Sequence, residues 1–166
     1  MNFNAFFWIV FLTILPGLEL RLSIPAGVLA TTINLPFGFT VTGFGMSPFE
    51  VFLVAVLTNI LLGPIIFFVL NHFVKFFIQV NVLKKFYDFS VKRTQRKVFP
   101  LVKKFGIIGI ALFIAIPLPG SGSYTGALAA HLLGMNSKNF AVANLIGVII
   151  AGIIVTITTL SVAGFL

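Results

Sequence analysis

Two ionisable residues, Glu19 and Arg21, stand two positions apart in an otherwise apolar part of the sequence. Such groups are costly at membrane depth and usually mark a transport pathway or an ion pair. In a functional interpretation, Glu19 takes up and releases a proton or cation while Arg21 attracts an anionic headgroup. In a structural interpretation, the two side chains form an ion pair or lie at the membrane interface. The sequence leaves both interpretations open.

Uncharged polar residues provide further candidate ligands. Half-helices that start near Ser23 and Ser123 would point their N-terminal amides at a phosphate or carboxylate. Asn59 and Asn144 lie inside long apolar runs, where an amide must find a partner. We interpret them first as struts that hold neighbouring segments and second as substrate ligands. The hydroxyl groups that could add donors belong to Ser121, Ser123, Tyr124 and Thr125.

The composition places these residues in a membrane protein. Hydrophobic residues make up 59% of the 166-residue chain and charged residues only 8%, which is too apolar for a soluble domain of this size. We expect one domain with a few membrane passes. The first residues lack a basic n-region and a cleavage site, so they are expected to belong to the mature fold. Without cysteine, neither disulfides nor thiolate ligands are available.

The net charge of +8 comes mainly from one segment, residues 75–104, which holds nine of the eleven basic residues. By the positive-inside rule this loop is cytoplasmic, and it can contact anionic lipid headgroups. Nucleic-acid binding is not expected. The spacing of Val82, Phe86 and Phe89 favours an amphipathic helix in the interface, with a solvated linker as the alternative.

Two segments, residues 48–74 and 138–162, are long and apolar enough to cross the membrane as helices. A hydrocarbon core requires about 20 helical residues. The first begins with Ser47, Pro48 and Glu50, an S-P-x-E capping box. Glu50 is therefore interpreted as a cap rather than as a catalytic acid.

Two further apolar segments, residues 3–35 and 105–134, are interrupted near their centres by proline and glycine residues. Each arm of the second rises about 18 Å, so neither arm crosses the membrane alone and a re-entrant helical hairpin is predicted. The alternative, one kinked span, would move Lys138 to the outer face, away from the other cytoplasmic basic residues. The residues assigned to the hairpin turns are Pro16, Gly17, Pro25, Gly27, Pro117, Pro119, Gly120, Gly122 and Gly126.

The two halves of the chain share an order of features. In residues 1–74 and again in residues 105–166, an apolar run leads to Pro-Gly, a serine, a Gly-Met pair and a spanning helix with an asparagine. Chance similarity among apolar segments is the alternative. A hairpin plus one crossing is an odd unit, so a true repeat must be inverted, with its hairpins meeting near the midplane. The uncharged loop, residues 31–45, suits the outer face. The expected fold is an all-α integral membrane protein with a basic interfacial linker.

Two stretches resemble a known family. PGLELRLSIPAG, residues 16–27, and IPLPGSGSYTGAL, residues 116–128, are similar to the signatures of the putative small multi-drug export protein family. A more distant resemblance is to the DedA (VTT) superfamily, whose members are thought to move lipids across membranes with paired re-entrant hairpins. The arginine that DedA proteins carry in the C-terminal hairpin is absent here. The positions that resemble the DedA pattern are Gly126, Met135, Phe140, Asn144 and Gly147.

The resemblance implies a plasma-membrane transporter or flippase for a lipid-linked or other anionic amphipathic substrate, coupled to protons or sodium. A small exporter of amphipathic cations is the alternative. A remote alternative is an intramembrane hydrolase that uses Ser121 or Ser123 with His131 or His72, although the full G-x-S-x-G elbow is missing. The expected partners are membrane lipids, and a homodimer is compatible with the sequence. Neither a cofactor nor a metal site is expected, because two histidines without nearby carboxylates cannot complete one.

Overall fold

The computed structural model describes residues 3–30, 32–34, 40–79, 102, 105–118 and 120–164. Over these residues the chain is helical, which confirms the predicted class. The only strands in the described ranges are a short pair in the loop after the second helix. In chain order the elements are α1 (Phe3–Ile14), α2 (Glu19–Val28), β1 (Thr32–Asn34), β2 (Thr40–Thr42), α3 (Pro48–Gln79), α4 (Ile107–Ala115), α5 (Ser123–Leu132) and α6 (Ser137–Ala163).

Among the helices that the structure describes, α3 and α6 are the two that are long and apolar enough to cross a membrane, over Pro48–Phe73 and Ser137–Ala163. Large apolar side chains remain exposed along both, as expected for surfaces that face lipid. Helix α3 begins at the predicted proline but continues beyond residue 74 to Gln79, so Lys75 belongs to a helix rather than to the linker. The interfacial helix predicted within residues 75–104 lies mostly outside the described residues.

Helices α1 and α2 form a first helical hairpin, joined by residues 15–18. The Leu15 carbonyl accepts hydrogen bonds from the amides of Leu18, at 3.3 Å, and Glu19, at 3.2 Å. Gly17, with a φ of +83°, supplies the left-handed conformation that this reversal requires. With 12 and 10 residues, the helices rise about 18 and 15 Å, too short to cross a membrane.

The start predicted for this second arm, near Ser23, is wrong: α2 begins at Glu19. The turn is closed within four residues, and α2 follows directly from Glu19, whose own φ is +48°. Pro25 and Gly27 were assigned to the turn, but both lie inside α2. An internal proline removes one backbone hydrogen bond without necessarily ending a helix, and neighbouring groups in membrane proteins can compensate for the loss.

Helices α4 and α5 form a second helical hairpin. Helix α5 begins at Ser123, as predicted, directly after Gly120 and Gly122, whose φ values are +80° and +137°. Gly126, also assigned to the turn, lies inside α5. A Cβ at this position would come within 2.7 Å of the Ile114 side chain, so the two arms pack side by side. The turn residue Pro119 falls outside the described residues.

The loop between α2 and α3 carries strands that the sequence did not predict. Strands β1 and β2 pair antiparallel, with Thr32 opposite Thr42. The following residues then bond to the end of α2: the amides of Phe44 and Met46 donate to the carbonyls of Ala26, at 2.9 Å, and Gly27, at 2.8 Å. These bonds use carbonyls at the helix C-terminus that have no partner within the helix.

Two compact units divide the chain. The first contains Met1–Asn59 with Ile149–Leu166, and the second contains Ile60–Val148. Each unit therefore holds one helical hairpin and part of each long helix. In the first, the amide of Met46, after Gly45, bonds to the end of α2. In the second, Met135 follows Gly134 and its amide donates to the Ala130 carbonyl of α5 at 2.9 Å.

Candidate functional site

Glu19 is buried at the point where the first hairpin reverses. Its side chain is 2% exposed, although carboxylates are rarely buried without partners. Its φ of +48° makes it the only non-glycine residue with positive φ among those described. This conformation typically costs about 1 to 3 kcal/mol and persists only where surrounding contacts enforce it. The fold therefore holds this carboxylate in the interior against both desolvation and backbone strain.

Asn59 and Arg21 are the partners that accompany this carboxylate. Nδ2 of Asn59, on α3, donates to Oε2 of Glu19 at 3.1 Å, and both side chains are buried. Nη1 of Arg21 lies 3.9 Å from the same oxygen, and its side chain is 13% exposed. At that separation the guanidinium contributes mainly through its charge. Glu19, Arg21 and Asn59 form the site that we call the charged cluster.

A second polar contact lies in the same hairpin and joins its two arms. Oγ1 of Thr13, on α1, is 2.7 Å from Oγ of Ser23, on α2, and 2.7 Å from the Ile9 carbonyl. Thr13 and Ser23 are both fully buried. Sequence reasoning missed Thr13, because a threonine in an apolar helix commonly bonds only to its own backbone.

Two of the predicted hydroxyl residues of the second hairpin, Ser121 and Thr125, bond to backbone groups of that hairpin. Oγ of Ser121 is 2.6 Å from the Ile116 carbonyl and 2.8 Å from the Leu118 carbonyl, and it accepts from the Leu118 amide at 3.3 Å. Oγ1 of Thr125 lies 3.4 Å from the Gly122 carbonyl. Ser121 therefore closes the turn that precedes α5.

Ser123 and Tyr124 open helix α5. Ser123 is fully buried, whereas Tyr124 is partly buried. Positions 121 to 125 thus form a neutral, hydroxyl-bearing region, while the charged cluster carries both signs of charge.

Asn144, on α6, fits the strut interpretation. Its Nδ2 donates to the carbonyl of Ile60, on α3, at 3.2 Å, and the residue is fully buried. It therefore bonds to a neighbouring helix rather than to one of the hydroxyl groups between residues 121 and 125.

The two histidines also have neighbours of their own. Nδ1 of His131 lies 2.5 Å from Oδ1 of Asn71, and Nδ1 of His72 lies 3.0 Å from the Phe68 carbonyl. Within the described ranges, no three residues of the types His, Cys, Asp and Glu cluster as metal ligands.

The charged cluster has a definite chemical capacity. Its carboxylate can exchange a proton, whereas the guanidinium stays charged at all relevant pH values. The two opposite charges balance each other in a setting where an isolated charge is costly.

Comparison with known proteins gives a family but no characterised relative. The family model described as "Putative small multi-drug export protein" matches residues 19–154, from Glu19 to the middle of α6. No curated protein and no solved structure matches the chain. The more distant DedA resemblance stays a prediction. Since the family match covers most of the sequence and includes all three residues of the charged cluster, the chain belongs to the putative small multi-drug export protein family.

Proposed function

We propose that the protein is a membrane transporter whose charged cluster binds both a proton and an anionic amphipathic substrate. The observation that carries this proposal is the burial of Glu19, 2% exposed, with Asn59 and Arg21 as its partners. A carboxylate paired with a guanidinium in an apolar fold forms a centre without net charge, and a proton taken up by the carboxylate gives that centre a net positive charge. The family description supports export as the general activity.

The proposed cycle follows from charge balance. With Glu19 ionised, its carboxylate neutralises Arg21. When Glu19 takes up a proton, Arg21 keeps its charge, and the anionic headgroup of a substrate becomes its counter-ion. One proton therefore accompanies one negative charge, and the complex that moves is neutral overall. Asn59 suits both states, because an amide can donate to a carboxylate or accept from a carboxylic acid.

A second candidate, export of an amphipathic cation, is favoured by the family description and by Glu19 itself. Glu19 is the one buried acid among the described residues. Its contact with Arg21 is long, at 3.9 Å. A cationic substrate would replace Arg21 at the carboxylate, and protonation of Glu19 would release it. The two candidates place opposite charges on the substrate, so one assay separates them.

Membrane architecture is part of the proposal. The two helical hairpins are re-entrant and belong to an inverted repeat of the DedA type, with the basic residues of the segment 75–104 on the cytoplasmic face of the plasma membrane. Their arms of 9 to 12 residues are too short to span, which supports this arrangement. Membrane lipids are the immediate partners. The backbone bonds of Ser121 and the contact between His131 and Asn71 favour transport over hydrolysis.

The test is a proteoliposome assay with three probes: labelled polyprenyl phosphate, labelled phospholipid and a cationic dye, each with and without a proton gradient. We expect the wild-type protein to move an anionic lipid and Arg21→Ala to abolish that movement while remaining folded. Lys138→Ala, which removes an exposed lysine, is the matched control and should move lipid normally. Normal lipid movement by Arg21→Ala would remove Arg21 from the mechanism, and movement of the dye alone would select the cation exporter.

A further inference from the structure

Helix α3 contains an internal proline, Pro64, and another helix supplies the hydrogen bond that the proline cannot donate. Proline has no N–H group, so it cannot donate to the carbonyl four residues earlier. That carbonyl belongs to Ile60, and Nδ2 of Asn144 donates to it at 3.2 Å. A side chain of α6 therefore supplies the hydrogen bond that the sequence of α3 omits.

Gly63 provides the space for this bond. A Cβ built on Gly63 would meet Cγ and Nδ2 of Asn144 at 2.5 Å, closer than such atoms approach. Any larger residue at position 63 would therefore push the amide away from Ile60. Gly63, the residue before the proline, is small enough to leave room for Asn144 of α6. Pro64 leaves the Ile60 carbonyl without a backbone donor, and the Asn144 amide donates to that carbonyl.

Helix α6 makes two further close contacts on either side of Asn144. One turn earlier, Phe140 stacks on Phe67 of α3, with ring centroids 4.8 Å apart. Three residues later, a Cβ on Gly147 would come within 2.7 Å of the Ala111 carbonyl on α4. Asn144 thus lies between the contact that holds α6 to α3 and the contact that holds α6 to the second hairpin.

We infer that Asn144 is a positioning residue that completes α3 across its proline break, with Gly63 as the gap that admits it. Inside a membrane a carbonyl without a donor is strongly unfavourable. The hydrogen bond to the Ile60 carbonyl of α3 therefore forms together with the packing of α6 against α3. If α6 moves away from α3, another donor, such as water, must form a hydrogen bond to the Ile60 carbonyl.

The test is a double-mutant cycle on the full-length protein in detergent, measured as the midpoint of thermal unfolding. Asn144→Ala should lower the midpoint by about 5 °C, because it leaves a buried acceptor without a donor. Pro64→Ala restores a backbone N–H for Ile60, so in that background Asn144→Ala should cost less than half as much. An equal loss in both backgrounds would overturn the inference, as would failure of both the single and the double variant to fold.

A second cycle tests the role of Gly63 independently. Gly63→Ala should destabilise the wild-type protein but be tolerated when Asn144 is also replaced by alanine, because the clashing amide is gone. The control is Asn59→Ala, whose amide bonds to Glu19 and not to α3. Its effect should be the same with proline or alanine at position 64. Rescue of Asn59→Ala by Pro64→Ala would show a general stabilisation and contradict the assignment.

Discussion

The two helical hairpins have similar lengths but use their buried polar residues differently. In the first, Glu19 bonds to Asn59 on another helix and pairs with Arg21. In the second, Ser121 bonds to backbone groups of its own turn. The first hairpin thus bears charge that the surrounding fold must balance, whereas the second is closed by neutral groups. Similar proline and glycine breaks in the sequence therefore accompany a charged centre in one half and a turn bonded through a neutral hydroxyl group in the other.

The largest expected difference concerns the first residue of each second arm. Glu19→Ala removes the carboxylate 3.9 Å from the Arg21 guanidinium and should cost about 3 to 5 kcal/mol in the free energy of unfolding. The matched change in the other hairpin, Ser123→Ala, removes a buried hydroxyl but no charge and should cost about 1 kcal/mol. Denaturant unfolding in detergent measures both. Similar losses for the two variants would contradict the contrast between a charged and a neutral hairpin.

A smaller difference is expected at the glycine where each second arm packs. A Cβ on Gly27 would lie 2.6 Å from Cγ1 of Val51, whereas on Gly126 it would lie 2.7 Å from the longer side chain of Ile114. Both sites meet a γ atom of a β-branched side chain, which cannot move away without a change of rotamer, but a Cβ on Gly27 meets both γ atoms of Val51 and also Cδ1 of Ile9 at 3.2 Å. Gly27→Ala should therefore cost about 2 to 3 kcal/mol and Gly126→Ala about 1 kcal/mol. Thermal unfolding of the two variants ranks them, and the reverse order would refute this packing argument.

We expect the contact between the arms of the first hairpin to make a moderate contribution to stability. Thr13→Val removes the hydroxyl that meets Ser23 while keeping the shape of the side chain. We expect a loss of about 1 to 2 kcal/mol, since a buried hydroxyl keeps its desolvation cost without its partner. Thr125→Val in the second hairpin breaks only a 3.4 Å contact and should cost less. Chemical denaturation measures both variants. An equal loss would mean that the Thr13 contact contributes no more to the free energy of unfolding than the Thr125 contact.

The smallest expected effect is confined to the second turn. Ser121→Ala removes a side chain that bonds to both the carbonyl and the amide of Leu118, at a cost of about 1 kcal/mol. Hydrogen exchange should show faster exchange of the Leu118 amide, with α1 and α2 unchanged. Faster exchange at Leu18 in the first turn would contradict the view that each turn is closed by its own residues.

Local patterns predicted several elements correctly. The S-P-x-E sequence predicts the start of α3 at Pro48, because proline is favoured at the first helical position. The glycines before Ser123 predict the start of α5, since they permit a reversal that other residues resist. The parallel with Ser123 in the second half predicts a start of α2 near Ser23, whereas the helix begins at Glu19 and continues through Pro25.

The contacts of the candidate site could not be predicted in the same way. Glu19 and Arg21 are conspicuous in the sequence because they are charged residues in an apolar segment. The bond between Asn59 and Glu19 joins residues 40 positions apart, so it depends on how α3 packs against the first hairpin. The role of Asn144 depends on Pro64 in another helix, and no local pattern links the two.

The most direct test of the central claim is the rate of movement of labelled polyprenyl phosphate and phospholipid in proteoliposomes under an imposed proton gradient. Three proteins are compared: wild type, Glu19→Gln, and the double variant Ser121→Ala with Ser123→Ala. We expect gradient-dependent lipid movement by the wild type and the serine variant, and loss of that dependence with Glu19→Gln. Retained gradient dependence with Glu19→Gln, or its loss in the serine variant alone, would contradict the assignment of transport to the charged cluster.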